Sequence, residues 1–130
     1  MIKKTLLLIV LLLTGWCYAN AGDYVSMSGN IGPYTIVMNI NPSAPSGNNC
    51  GYYYYTDKKH PRRAKFKLVM GQNNQINASG SVKMTLYEFS PSGNNTGTFR
   101  GQFESRSDYY EGTFTNSNGK KFHFRLYSNY

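Results

Sequence analysis

From Tyr34 onward, apolar and polar residues take turns along short runs that are divided by clusters of Gly, Asn, Ser and Pro. A period of two sends successive side chains to opposite faces, so each run reads as a strand with one dry face. Tyr34, Ile36, Met38 and Ile40 share a face, as do Phe66, Leu68 and Met70, then Val82, Met84, Leu86 and Glu88. Phe99, Gly101 and Phe103 follow, then Tyr110, Gly112 and Phe114, then Phe122, Phe124 and Leu126. These inward sets are the expected core.

With a first strand near Tyr24 to Ser28 and another over Gly51 to Tyr55, the count reaches about eight strands at the spacing of all-β barrels and sandwiches. Short consecutive hairpins predict an antiparallel up-and-down meander. A meander of this size loses its exposed edges by closing into a barrel, with a two-sheet sandwich as the alternative. Asn118-Gly119 predicts a type I′ hairpin that pairs the last two strands. Pro45-Ser46-Gly47-Asn48-Asn49-Cys50-Gly51 recurs as Pro91-Ser92-Gly93-Asn94-Asn95-Thr96-Gly97, which predicts equivalent hairpin loops in two similar halves; simple reuse of turn residues is the competing explanation.

The N-terminus has a different character. Met1-Ile2-Lys3-Lys4, an apolar run from Thr5 to Leu13, and Ala19-Asn20-Ala21 read as a cleavable signal peptide over 1–21, cut after Ala21, leaving one domain over 22–130. The expected location is therefore secreted or periplasmic, with no transmembrane span after cleavage. Trp16, directly before Cys17, argues against lipidation of that cysteine. Processing would leave Cys50 as the one cysteine, which excludes an internal disulfide and makes a buried thiol the expected role.

Of 14 Lys and Arg the signal removes Lys3 and Lys4, so 12 remain against 6 acids, a charge of roughly +6. Such a balance favours anionic partners, and export sets intracellular nucleic acid aside. Lys58, Lys59, Arg62, Arg63, Lys65 and Lys67 crowd into ten residues around His60 and Pro61. Like charges this dense are relieved by sulfate, phosphate or carboxylate groups, so the run is the expected site for an anionic glycan, an envelope component or an acidic protein. A solvated loop that blocks edge pairing is the plainer explanation. Arg100, Arg106, Lys120, Lys121 and Arg125 extend the patch if their strands lie adjacent.

Tyr52 to Tyr55 place two rings on each face of one strand. Tyr53 and Tyr55 are taken as the aromatic platform, against the alternative that they serve cross-strand packing. Glu88 stands on an apolar face, where it needs either a strand end or a buried donor such as a tyrosine hydroxyl or an arginine. No second carboxylate is patterned beside it for catalysis. Two distant histidines and one cysteine offer neither a metal set nor a local nucleophile pair, and no phosphate-binding glycine loop appears. The expectation is a non-enzyme without metal or cofactor. A protein inhibitor or immunity-type factor is the second expectation, and a small-ligand carrier the third.

Gly51-Tyr52-Tyr53-Tyr54, Leu68-Val69-Met70-Gly71, Leu86-Tyr87-Glu88, Thr96-Gly97-Thr98-Phe99-Arg100-Gly101, Gly112-Thr113-Phe114 and Phe122-His123-Phe124 are similar in spacing to a loosely defined group of small secreted bacterial β-meander domains. That resemblance spans nearly the whole of 22–130. It implies a barrel-like fold and an envelope location, and it implies no reaction. The plan is also similar to avidin-like and lipocalin-like barrels, but the opening motifs of those families are missing, so no biotin or lipid pocket follows.

Overall fold

The computed structural model describes residues 24–60, 64–73 and 80–129. The signal segment 1–21 with Cys17, and Arg62 and Arg63 of the cationic run, lie outside the described residues. Those described form eight strands and no helix: β1 (Val25–Ile31), β2 (Tyr34–Ile40), β3 (Asn49–Tyr55), β4 (Phe66–Asn73), β5 (Ser81–Phe89), β6 (Asn95–Glu104), β7 (Tyr109–Asn116) and β8 (Lys121–Ser128). Each pairs antiparallel with its sequence neighbour, and β8 pairs with β1 from Met27↔Ser128 to Ile31↔Phe124. The result is a closed up-and-down barrel, and the sandwich alternative falls away.

Eight strands enclose a bore that side chains can just fill. The inward sets expected from alternation do so. Met27, Met38, Met70, Met84, Tyr53, Phe99, Tyr110 and Phe124 are each exposed by 1% or less. Unbranched methionines fit the irregular gaps between rings. Tyr110, deep among them, donates its hydroxyl to the Met84 carbonyl at 2.7 Å, so the buried phenol does not go unsatisfied.

Consecutive hairpins alternate between the two ends of the barrel. The β1–β2, β3–β4, β5–β6 and β7–β8 connections lie at one end, the upper rim; the other connections and both chain ends of the barrel lie at the lower rim. The β2–β3 loop folds over the lower rim. It buries Ala44 in the core and exchanges hydrogen bonds with β4 through Gly47 N to Met70 O and Met70 N to Asn48 O.

This placement corrects the two-halves expectation. The Pro45 copy connects β2 to β3 at the lower rim, whereas the Pro91 copy connects β5 to β6 at the upper rim. Gly47 bonds across to β4, whereas Gly93 bonds locally to Ser90 O. The shared residues reflect a shared need for positive φ, 88° and 94°, and no equivalence of position.

The β7–β8 turn is a second correction. Gly119 has φ 83°, but Asn118 is not in the positive-φ region, so the turn is not type I′. Asn116 N bonds Lys120 O, and Gly119 N bonds Asn116 O, giving a three-residue loop with glycine in the left-handed position. The Asn116 side chain accepts from Asn118 N and Lys120 N, both at 3.0 Å.

Gly101 and Gly112 face each other on β6 and β7. A Cβ on Gly112 would strike the Arg100 carbonyl and the Gly101 Cα, and one on Gly101 would strike the Glu111 carbonyl and the edge of Phe124. Their missing side chains allow the close crossing over which Phe124 lies. Gly112→Val should lower unfolding stability by about 3 kcal/mol, read as the urea midpoint of the purified domain. An unchanged midpoint would mean that the strands do not approach this closely.

Candidate functional site

At the upper rim the inward positions become polar. Glu88, near the end of β5, is 3% exposed yet sits in line with Val82, Met84 and Leu86. Tyr53 donates its hydroxyl to Oε1, and Thr96 donates to Oε2 at 2.5 Å. Of the two explanations for a carboxylate on this face, the buried tyrosine donor is the one found. Burial pushes the Glu88 carboxyl above its ordinary value, and the two hydroxyl donors pull part of the way back. Burial and the neighbouring Glu88 charge raise the Tyr53 phenol well above its own ordinary value.

Tyr53, expected in an exposed platform, is thus corrected: it is fully buried, stacked on Phe66 at 5.2 Å and edge-on to Phe99 at 5.4 Å. Tyr55, two residues further up β3, does reach the mouth. The loop that follows folds back over it. His60 lies flat on Tyr55, with centroids 4.0 Å apart and planes at 15°, and edge-on to Tyr34 at 5.3 Å. Asp57 holds it there: Oδ1 accepts from Lys59 N at 3.0 Å and lies 2.8 Å from His60 Nδ1. The contact with His60 lowers the Asp57 carboxyl from its ordinary value.

Together these groups border an open cavity of about 330 Å³ lined by Tyr34, Tyr55, His60, Glu88, Lys120 and Phe122, among others. Reading the sequence missed His60 as part of a mouth. The available signal was the Asp57-x-x-His60 spacing, which lets one carboxylate grip both a turn N–H and the ring.

The outer wall carries a different chemistry. Tyr52 and Tyr54 point outward and stack in parallel at 6.4 Å. Lys65 lays its ammonium 4.4 Å from the Tyr52 ring centroid, and Lys67 stands directly across from Tyr52 on β4. Lys58 and Lys59 are exposed in the loop above. Lys65 and Lys67 therefore lie beside Tyr52 on the outer wall, and Lys58 and Lys59 stand exposed in the connection from β3 to β4.

The proposed extensions divide. Arg100 is exposed on β6, opposite Thr85, two strands from β4. Lys120 borders the mouth from the β7–β8 connection, and Lys121 is exposed at the start of β8. Arg125 is engaged elsewhere: it reaches Glu111 at 3.1 Å, beside His123 at 2.6 Å and the Tyr109 hydroxyl. The Tyr109 bond and then Arg125 hold the Glu111 carboxyl down at about 2, and Glu111 in turn pushes the Tyr109 phenol up to about 12. Arg125 is thus neutralised on the β7–β8 face.

Cys50 is fully buried, its thiol against the Leu68 carbonyl at 3.5 Å, and burial pushes it up to about 12. A thiol held protonated in the core does not act as a nucleophile at neutral pH. His123 points outward, so the two do not meet. Among the described residues no three His, Cys, Asp or Glu side chains gather into a metal-binding group.

Fold and rim together define a closed eight-stranded barrel with a packed bore, a polar aromatic mouth and a lysine–tyrosine outer wall. No protein-family model, curated protein or solved structure matches the chain.

Glu88 makes stability depend on pH in a direction opposite to that of an ion-paired carboxylate. Its folded pKa exceeds the unfolded one, so the folded state binds more protons between the two and stability falls as pH rises from the ordinary carboxylate value through the raised one. Glu88→Gln keeps the hydrogen-bonding shape and removes the titration. Relative to this variant, the parent protein should lose melting temperature across that window; parallel curves for the two would show that Glu88 is not buried as described.

Proposed function

We propose that the protein is an exported, non-enzymatic binding domain whose outer wall at β3 and β4, with the loop between them, holds an anionic polymer such as an acidic glycan or an acidic protein segment. The supporting observation is the alternation of cations and phenol faces on one surface, with Lys65 over Tyr52, Tyr52 stacked with Tyr54, and Lys67 opposite Tyr52. Lysines attract repeating anionic groups, while rigid tyrosine rings offer apolar area and hydroxyls to what lies between those groups. Strand backbones hold the two rings and Lys67, so part of the surface is organised before any ligand arrives.

The reading carries a location with it. A chain led by the segment 1–21 is delivered to the envelope or beyond, where acidic polysaccharides and acidic protein surfaces are the anions within reach. Lys58 and Lys59, exposed in the loop after β3, add further charge, and charge of this kind acts mainly on encounter rate and salt dependence.

Replacing Lys58, Lys59, Lys65 and Lys67 together with serine should abolish retention on a heparin column at low salt while leaving the melting temperature nearly unchanged, since all four are exposed. Tyr52→Ser with Tyr54→Ser should shorten retention while the charge is intact. Elution of the lysine variant at the parent's salt concentration would remove the proposal.

A further inference from the structure

The mouth cavity plays no part in binding at the outer wall, and its one buried charged group is of the opposite sign. Its floor is a carboxylate, 3% exposed, in a protein of formal charge +8. Among the described residues no Lys, Arg or His forms an ion pair with Glu88; the ion pairs found there are His60 with Asp57, and His123 and Arg125 with Glu111. Tyr53 takes one lone-pair position on Oε1 and Thr96 one on Oε2. A carboxylate has roughly four such positions, so acceptor capacity is left at a group that borders the cavity.

The walls are aromatic. Tyr34 stands edge-on to Tyr55 at 6.1 Å and to Phe122 at 6.4 Å, and His60 covers Tyr55. Ring faces attract cations, most strongly where water is partly excluded. One cation is already in that position: the Lys120 ammonium lies 5.3 Å from the Phe122 centroid without reaching a carboxylate. A space of about 330 Å³ is at the small end for ligand pockets. Buried negative charge at the floor disfavours an anion, and aromatic walls favour an apolar body.

We propose that the upper mouth binds a small organic cation, an ammonium group on a compact apolar body, with the charge toward Glu88 and the body against Tyr34, Tyr55 and Phe122. Lys120 is then a competitor. It occupies the Phe122 face when the mouth is free of ligand and moves aside on its exposed hairpin when a cation enters. This site and the outer wall are independent, so the serine variants at Lys58, Lys59, Lys65 and Lys67 leave it intact.

Choline chloride and 3,3-dimethylbutan-1-ol, which share a shape and differ in charge, separate charge recognition from simple filling. Titration followed by amide shifts should show choline moving the signals of His60, Thr96 and Lys120, with the neutral alcohol roughly tenfold weaker. Glu88→Gln should bring choline down to the level of the alcohol and leave the alcohol unaffected, a pattern that loss of fold does not produce. Lys120→Met should tighten choline several-fold, since it removes the competitor, whereas a site for an anion or zwitterion would weaken. If Glu88→Gln does not fold, Phe122→Leu serves in its place and should cost choline more than the alcohol. Equal affinity for the two probes, shifts confined to other surfaces, or weaker choline binding by Lys120→Met would each overturn the proposal.

Discussion

Hydrogen bonding of β8 to β1 is the constraint on which the rest of the structure depends. A row of backbone groups at a free edge would either bind water or recruit another strand, and pairing Met27 through Ile31 with Phe124 through Ser128 removes both edges at once. Closure at eight strands also sets the width of the bore. A bore of that width is filled by one inward side chain from each pair of residues, so large inward residues must be offset by absent ones. Hence Phe124, Phe99 and Tyr110 pack beside the facing glycines at 101 and 112.

The same geometry explains why chemistry collects at one end. The lower rim is covered by the β2–β3 loop, with Ala44 in the core. The upper rim has no equivalent plug in the β1–β2 turn or the β7–β8 hairpin, so inward residues there sit between oil and water. Tyrosine suits that position because its ring can join the core while its hydroxyl reaches a polar partner. Tyr53 does this for Glu88, and His60 with Asp57 shields Tyr55 from above. Glu88 is kept by hydroxyl donors rather than by a cation, so its remaining acceptor positions border the cavity.

Much of the fold is legible in the sequence because alternation is local. Each inward set, the strand number and the order of pairing follow from it, and Glu88 is marked by standing on an apolar face. The errors have physical origins. Four consecutive tyrosines carry no parity; the register that sets Tyr53 opposite the inward Met38 decides that Tyr53 faces inward. The β7–β8 turn was in fact determined by the pattern: a two-residue loop at Asn118-Gly119 would set Phe114 opposite His123, whereas opposing Phe114 to Phe122 requires one more loop residue. That shift of register also pairs Glu111 with Arg125 and takes the arginine out of the basic patch. For His60 the Asp57-x-x-His60 spacing signals the local turn, but its place at the mouth depends on rings from β2 and β3 meeting beneath a loop that alternation does not describe.

The two candidate surfaces differ in how they are built, and this bears on how each recognises a ligand. On the outer wall the cations are solvated and screened, so their effect extends outward and weakens with salt, which suits a long, repetitive partner held by many modest contacts. In the mouth a single carboxylate lies in low dielectric among rings, so its effect is short in range and strongly dependent on fit, which suits one small molecule. Both surfaces rest on β3: Tyr52 and Tyr54 face out, and Tyr53 and Tyr55 face in and up. A strand of four tyrosines thus turns Tyr52 and Tyr54 to the outer wall and Tyr53 to the Glu88 carboxylate, by the alternation that builds the barrel itself.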